Sequence, residues 1–405
     1  MIHVALVAPH FGENMRHCVR CFTDLPDTKV GVLSHEPEDR LPPELTGRVA
    51  GFQRIGDCGN AEQLAEGARA LRERWGRLDR LEGYLEMLQV PIADARDALD
   101  VDGMRGEAAR NFRDKNRMKD VLRKAGVPVA RQALVRGGED ARAFVQEVGY
   151  PIVLKPLAGL GARNTQRAHD EASLASALNA LLPSAANPAQ AEEFVRGEEH
   201  TFEAVTIGGK TVWFSSTEYL PSPLKVIENP WMQYALILPR EMDQPHVQAF
   251  APINTKALTA LGMKNGLSHM EWFLREDGSA VVSEVGARPP GANIMPLLAA
   301  AHGADPWAAW ARLMTHRTWQ LPPRKFAAGS LFLRAMGGGE TVRSVAGVDE
   351  MRARLGPALY DMRMPQPGQP RSTHYEGDGW VVVHHPETKG VVASLRTVLE
   401  TVRLQ

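Results

Sequence analysis

Residues 269–291 read HMEWFLREDGSAVVSEVGARPPG. Two apolar-rich runs flank Asp277-Gly278. An Asp-Gly between alternating runs signals a hairpin, because a two-residue type I′ turn needs φ > 0 at both central positions. With Asp277 and Gly278 at the tip, facing residues have numbers summing to 555, and Glu271 and Glu284 meet that sum. Their Cβ atoms are then expected about 5 Å apart across the ladder. Two carboxylates at that separation repel by about 3 kcal/mol at an effective dielectric near 20. A cation between them removes the penalty, and paired hard oxygens suit Mg²⁺ or Mn²⁺. Two other readings stay open on these residues alone: a solvated, screened pair, or a bulge that shifts the register.

The first hundred residues alternate in pattern. HVALVAP and TKVGVLS read as strands, and NAEQLAEGARALRERWG reads as an amphipathic helix. Such alternation implies a parallel sheet covered by helices. The loop after the first strand, HFGEN, lacks GxGxxG and gives no support for a dinucleotide site. Near residue 110 the pattern changes. In RDKNRMKDVLRKAGVPV, Asp114 is placed to cap a helix that Gly126 and Pro128 stop. GYPIVLKP then reads as a buried strand ending near Lys155, and Gly208-Gly209 as a hairpin turn. Residues 219–240 hold four prolines and little periodicity, and are expected to form a long loop of the kind that serves as a lid. Trp231 and Tyr234 within it fit an aromatic substrate or simple packing. After the hairpin come two helices, the second capped by Asp305 and opened by Pro306. GWVVVHHP and ASLRTVLETV close the chain as strand and helix.

With 44% hydrophobic residues and a net charge of −1, the chain can bury a large core and offers no general attraction to nucleic acid or to an anionic membrane. No apolar run is long enough to span a bilayer, and the opening IHVALVAP is too short for a signal sequence. Three cysteines make no disulfide framework, so a reduced, cytoplasmic protein is expected. Cys18 and Cys21 form a CxxC near His10 and His17, with Cys58 further off. Zinc would need two more ligands, and a helix start with incidental thiols is the reading adopted.

Four further stretches carry possible chemistry. Lys115 stands at a helix start. Lys155 ends a buried strand before a loop containing Gly159 and Gly161, whose backbone N–H groups can approach an anion. The stretch AEEFVRGEEH sets Glu192, Val195 and Glu199 around a turn, fit for an adenine amine and ribose hydroxyls or for solvent. Arg288 follows Glu284 ahead of a helix, where a guanidinium favours a phosphate or acyl phosphate. Each has a plain structural alternative when read alone.

In their order and spacing, these signals resemble the ATP-grasp superfamily from about residue 110 to 320. The resemblance implies an α/β protein. A parallel α/β domain over 1–109 would precede a grasp fold of two α+β subdomains, 110–190 and 191–405, the latter with an appended α/β segment. It implies that Lys115 and Lys155, with Gly159 and Gly161, hold ATP phosphates. Glu192 and Val195 would meet adenine, and Glu199 the ribose. Glu271 and Glu284 would bind Mg²⁺ or Mn²⁺, and Arg288 would steady the transferring phosphoryl group, with His269 beside the metals. GLSHMEW and SEVGARPPGANI are most similar to L-amino-acid ligases and related carboxylate–amine ligases. Many grasp enzymes carry Asn where this chain has Gly286, so the second metal's coordination is open, with Asn293 a weak substitute. The expected partners are a small carboxylate and an amine. The alternatives are a purine-pathway-type ligase, a biotin-carboxylase-like enzyme or a non-catalytic ATP-binding module. Oligomeric state is open, a homodimer being the commonest arrangement.

Overall fold

A computed structural model describes residues 1–157, 164–229 and 231–405. It opens with β1 (Ile2–Val7), α1 (Glu13–Thr23), β2 (Thr28–Ser34), β3 (Gly51–Arg54), α2 (Ala61–Trp75), β4 (Arg80–Glu82) and α3 (Gln89–Leu99). The four strands form a parallel sheet in the order β3-β2-β1-β4. The nearly continuous burial of the central β1 and of β2 is what a sheet covered on both faces demands. Asn60 accepts from the Gln63 amide to start α2, so the amphipathic pattern begins where a cap allows it.

Two helices follow, α4 (Gly106–Arg113) and α5 (Lys115–Lys124). Asp114 caps α5 by accepting from the Arg117 amide. A second sheet, in the order β5-β8-β6-β7, is antiparallel. It comprises β5 (Gln132–Val135), β6 (Ile152–Pro156), β7 (Gln166–Ala168) and β8 (Ala189–Glu193), backed by α6 (Gly138–Val148) and α7 (Glu171–Leu181).

The rest of the chain builds an eight-stranded sheet in the order β13-β12-β9-β10-β11-β14-β17-β16. Its elements are β9 (Glu198–Ile207), β10 (Lys210–Leu220), α8 (Pro223–Glu228), β11 (Tyr234–Leu238), α9 (Pro245–Leu261), β12 (Gly266–Leu274), β13 (Ala280–Gly286), α10 (Ile294–His302), α11 (Pro306–His316) and β14 (Ala327–Leu333). Then come β15 (Val345–Ala346), α12 (Val348–Leu355), β16 (Leu359–Arg363), β17 (Gly379–His385), α13 (Thr388–Thr401) and β18 (Arg403–Leu404), with β15 and β18 paired separately. Gly208 and Gly209, both at positive φ, turn β9 into β10. One apolar core runs from α1 and the first sheet through α10 and α11 into β11 and β14. Phe22 on Trp310 and Tyr84 on Trp307 tie the two regions together.

Residues 219–240 are not the long loop their prolines suggest. β10 runs to Leu220, α8 starts on Pro223, and β11 pairs with β14. Pro223 opens α8 because the first turn of a helix needs no N–H there. Tyr234 is fully buried against Phe332, and Trp231 is exposed. No helix among the described residues is long and apolar enough to cross a membrane.

Candidate active site

The hairpin of β12 and β13 does place Glu271 opposite Glu284, by a different route from the one the Asp-Gly implies. Arg275 and Ser279 close a three-residue loop, and only Gly278 within it takes positive φ, at 80°. A two-residue type I′ turn is therefore absent. The ladder near the tip pairs Leu274 with Ala280 and Trp272 with Val282, one residue short of the expected sum. A bulge at Ser283 then restores the register at Glu271–Glu284. The bulge also sets the parity. Val282 and Val285, three residues apart, both enter the core, while Glu284 faces the cleft with Val281. Strict alternation from Val282 would have turned Glu284 inward. On β12, Met270 and Trp272 are buried, and Trp272 stacks on Phe250 at 4.0 Å. The alternate residues His269, Glu271 and Phe273 therefore line the cleft.

That cleft lies between the second and third sheets, with Glu86 of the first domain on its wall. It gathers Lys115, Lys155, Glu192, Val195 and Glu199 with His269, Glu271, Glu284 and Arg288. Gly159 and Gly161 lie outside the described residues. Lys115, at the first turn of α5, forms an ion pair with Glu284. His269 donates from one ring nitrogen to fully buried Glu203 at 2.9 Å, and its other nitrogen lies 3.8 Å from Glu271. The Tyr219 hydroxyl donates to Glu271 at 3.3 Å. Lys115 and His269 thus offset part, but not all, of the negative charge gathered by Glu203, Glu271 and Glu284.

The ionisation pattern follows. Burial works against a charge on Glu284, but the Lys115 and Lys155 ammoniums outweigh it and hold the carboxyl below its usual range. Burial would neutralise His269, yet the hydrogen bond to Glu203 and the nearby Glu271 carboxylate raise it to about 9. Glu199 is pushed well up, first by burial and then by the Glu271 charge. Two facing carboxylates make a hard-oxygen donor set fit for Mg²⁺ or Mn²⁺. Asn293, the weak substitute for a missing ligand, donates to Ser330 instead. Gly286 lies on the cleft wall, and a Cβ there would meet nothing closer than 3.6 Å.

At the other end of the cleft, Ala130, Val195 and Val281 form a small apolar cluster with Phe273 against it. Glu192 stands beside it on β8, with Lys155 at 2.8 Å and Lys119 at 2.6 Å on the same oxygen. Gly197 brings the turn before Glu199 against the Leu274 carbonyl, where a Cβ would come to 2.5 Å. No side chain fits there, so glycine sets how closely the turn packs on the hairpin.

Three residues were missed in the sequence. Lys119 sits one turn after Lys115 on the same face of α5, an i, i+4 pair that could have been noticed. Tyr219 ends β10. Glu86 follows β4 and accepts from Arg288 at 2.8 and 2.6 Å, with Arg113 3.5 Å away. Burial opposes the Arg288 charge, but Glu86 more than offsets it and raises the guanidinium. Arg288 lies in the loop before α10, ahead of a helix as its sequence position implied.

Cys18 and Cys21 lie within α1, not at a redox turn. His17 and Cys21 converge on Asp305, the cap of α11. Arg20 donates to His17 Nδ1, so Nε2 carries the proton and donates to Asp305 at 2.8 Å; the Cys21 thiol donates to the same oxygen at 3.4 Å. Burial pushes both thiols up. The cluster is a hydrogen-bonded joint between two helices.

Comparison with known proteins agrees with this geometry. Residues 120–300 match the ATP-grasp domain family. The alanine–anticapsin ligase of Bacillus subtilis (strain 168) is 29% identical over 266 residues, which cover 60% of this chain and 55% of that protein. The carbamoyl phosphate synthase large chain of Methanothermobacter thermautotrophicus is 23% identical over 56% of this chain and 21% of its own length. The chain thus spans about half the length of the alanine–anticapsin ligases it matches, and less of the synthase. Among solved structures, the L-amino acid ligase of Bacillus licheniformis superposes with a TM-score of 0.78 at 19% identity, over 100% of this chain and 98% of that one. The N5-carboxyaminoimidazole ribonucleotide synthetase of Thermotoga maritima gives 0.69 at 17% identity, over 100% and 99%. The α/β architecture, with its parallel first sheet and antiparallel second and third, is the fold of these ligases, and residues 120–300 of this chain are an ATP-grasp domain.

Proposed function

We propose that the protein is an ATP-dependent carboxylate–amine ligase acting on an amino acid or a related small carboxylate. The observation that carries this reading is the cleft itself. It holds facing Glu271 and Glu284, Arg288 beyond them, and lysines toward an apolar slot. In the proposed reaction a substrate carboxylate oxygen attacks the γ-phosphorus of ATP and ADP leaves. An amine then attacks the acyl carbon, phosphate departs, and the amine gives up a proton. Mg²⁺ or Mn²⁺ held by Glu271 and Glu284 would neutralise charge on the β- and γ-phosphates.

The protein's own residues do the positioning. The apolar slot and Glu192 take the base, and Lys155 and Lys115 reach the phosphates. Arg288 lies where the acyl phosphate would form, and Glu86 keeps its guanidinium extended into the cleft. A passive nucleotide sensor has no use for the acid pair and the arginine together.

Hydroxylamine trapping tests the reaction class. The protein is mixed with Mg-ATP, hydroxylamine and a panel of carboxylates, amino acids first. The expected result is a hydroxamate, with matching ADP, for one acid or a few related ones. ATP turnover that no carboxylate stimulates, with no hydroxamate, would remove the ligase reading.

A further inference from the structure

Lys119 has no part in the chemistry described so far, yet its side chain is only 1% exposed and reaches the cleft. A lysine this buried needs a reason, because its ammonium gives up hydration that only a close partner restores. Its partner is Glu192 Oε1, at 2.6 Å. The same oxygen has the Lys155 ammonium at 2.8 Å and accepts from the Gln190 side-chain amide at 2.5 Å. One carboxylate oxygen thus faces two ammoniums and an amide. Glu192 alone needs only one counter-ion, so the second is surplus in the pair's own charge balance.

The surplus makes sense if one lysine has to leave. Lys155 sits between the two ends of the cleft: Glu192 favours its charge most, followed by the hairpin carboxylates Glu284 and Glu271. Lys119, fully buried on α5, is tied more closely to Glu192: of the hairpin carboxylates only Glu284 acts on it, and less than Glu192 does. We propose that Lys119 is the standing counter-ion of Glu192, and that nucleotide binding passes Lys155 from this carboxylate to the phosphates. The proposal rests on the reading of the cleft as an ATP site.

With Lys119 in place, Lys155 departs without stranding a buried carboxylate, and Glu192 remains a fixed acceptor for the base. Without it, Lys155 is needed at Glu192 and is lost to the phosphates. Lys119 is therefore a positioning residue that couples base recognition to phosphate neutralisation. Charge balance supports this assignment: burial lowers Lys119 to about 8 even with Glu192 beside it, whereas Glu192, with both lysines, is held down at about 2.

The test is calorimetric titration of the full chain with adenosine and, separately, with Mg-ATP. Adenosine has the base but no phosphate to receive Lys155. In Lys119→Met, the Kd for ATP is expected to rise roughly ten- to a hundredfold, the range for losing a charge-assisted hydrogen bond. The Kd for adenosine should change by less than about threefold. Lys119→Arg, which keeps the charge, should restore most of the ATP affinity. Equal weakening of both ligands, or no weakening of either, overturns the proposal, because a merely structural lysine predicts one of these. If Lys119→Met folds poorly, Glu192→Gln/Lys119→Met, with both charges removed, should bind ATP as Glu192→Gln does. A full additional loss in the double variant would count against the coupling. Failure of the wild-type protein to bind ATP at all would overturn the site reading itself, a result distinct from the others.

Discussion

The two ends of the cleft solve opposite electrostatic problems. At the hairpin end the backbone ladder forces two like charges together, Glu271 against Glu284, and cations gather around them. At the base end, two ammoniums, from α5 and β6, and a neutral amide crowd one oxygen of Glu192. The first arrangement is short of positive charge and suits a divalent cation. The second is rich in positive charge and suits an anionic nucleotide. A reaction that moves a phosphoryl group from ATP to a carboxylate needs both, side by side.

If that contrast is right, the ends fail differently. The largest effect is expected from Glu284→Gln, which keeps the shape of the ladder and removes half of the acid pair. Mg²⁺-dependent ADP formation should fall by roughly a thousandfold or more, with the folded state intact by circular dichroism. Near wild-type turnover would refute the metal assignment. Arg288→Ala comes next. Its kcat should fall roughly a hundred- to a thousandfold while ATP affinity changes little, because the guanidinium meets charge that develops in the reaction. Equal loss in both would place Arg288 with nucleotide binding. Glu192→Gln probes the other end: KM for ATP should rise by about tenfold with kcat largely kept. A collapse of kcat alone would erase the distinction between the ends. The smallest effect is expected from Gly286→Asn. The position has room for a side chain facing the cleft, so stability should change by less than about 1 kcal/mol. The concentration of Mg²⁺ giving half-maximal activity should stay level or drop, and a rise would show that the glycine is required there.

The same two ends differ in how far the sequence revealed them. Glu271 and Glu284 are 13 positions apart, and a ladder with a period of two limits where they can point. Even so, the prediction succeeded through two compensating deviations, the three-residue loop at Gly278 and the bulge at Ser283. A bulge leaves no mark in an apolar pattern this short. Lys119 was masked by the apolar residues around it, although its spacing from Lys115 put both on one face. Glu86 carries no local signal, since its contact with Arg288 spans 202 positions and exists only once the first domain docks. Residues 219–240 misled through their prolines: Pro223 starts a helix, and pairing with β14 recruits Tyr234 into the sheet. In the parallel first domain β1, β2 and α2 were legible, because continuous apolar strands and an amphipathic helix are local properties, whereas the short β3 and β4 carry too little pattern to be read.

The central claim is that a carboxylate is activated as an acyl phosphate in this cleft. The direct measurement uses the acid found by hydroxamate trapping, labelled with heavy oxygen in its carboxyl group, under single-turnover conditions with Mg-ATP and an amine. Mass analysis of the released phosphate is predicted to show a carboxylate oxygen carried into it, with ADP as the other product. Phosphate free of the label, or label appearing in AMP, would contradict the account.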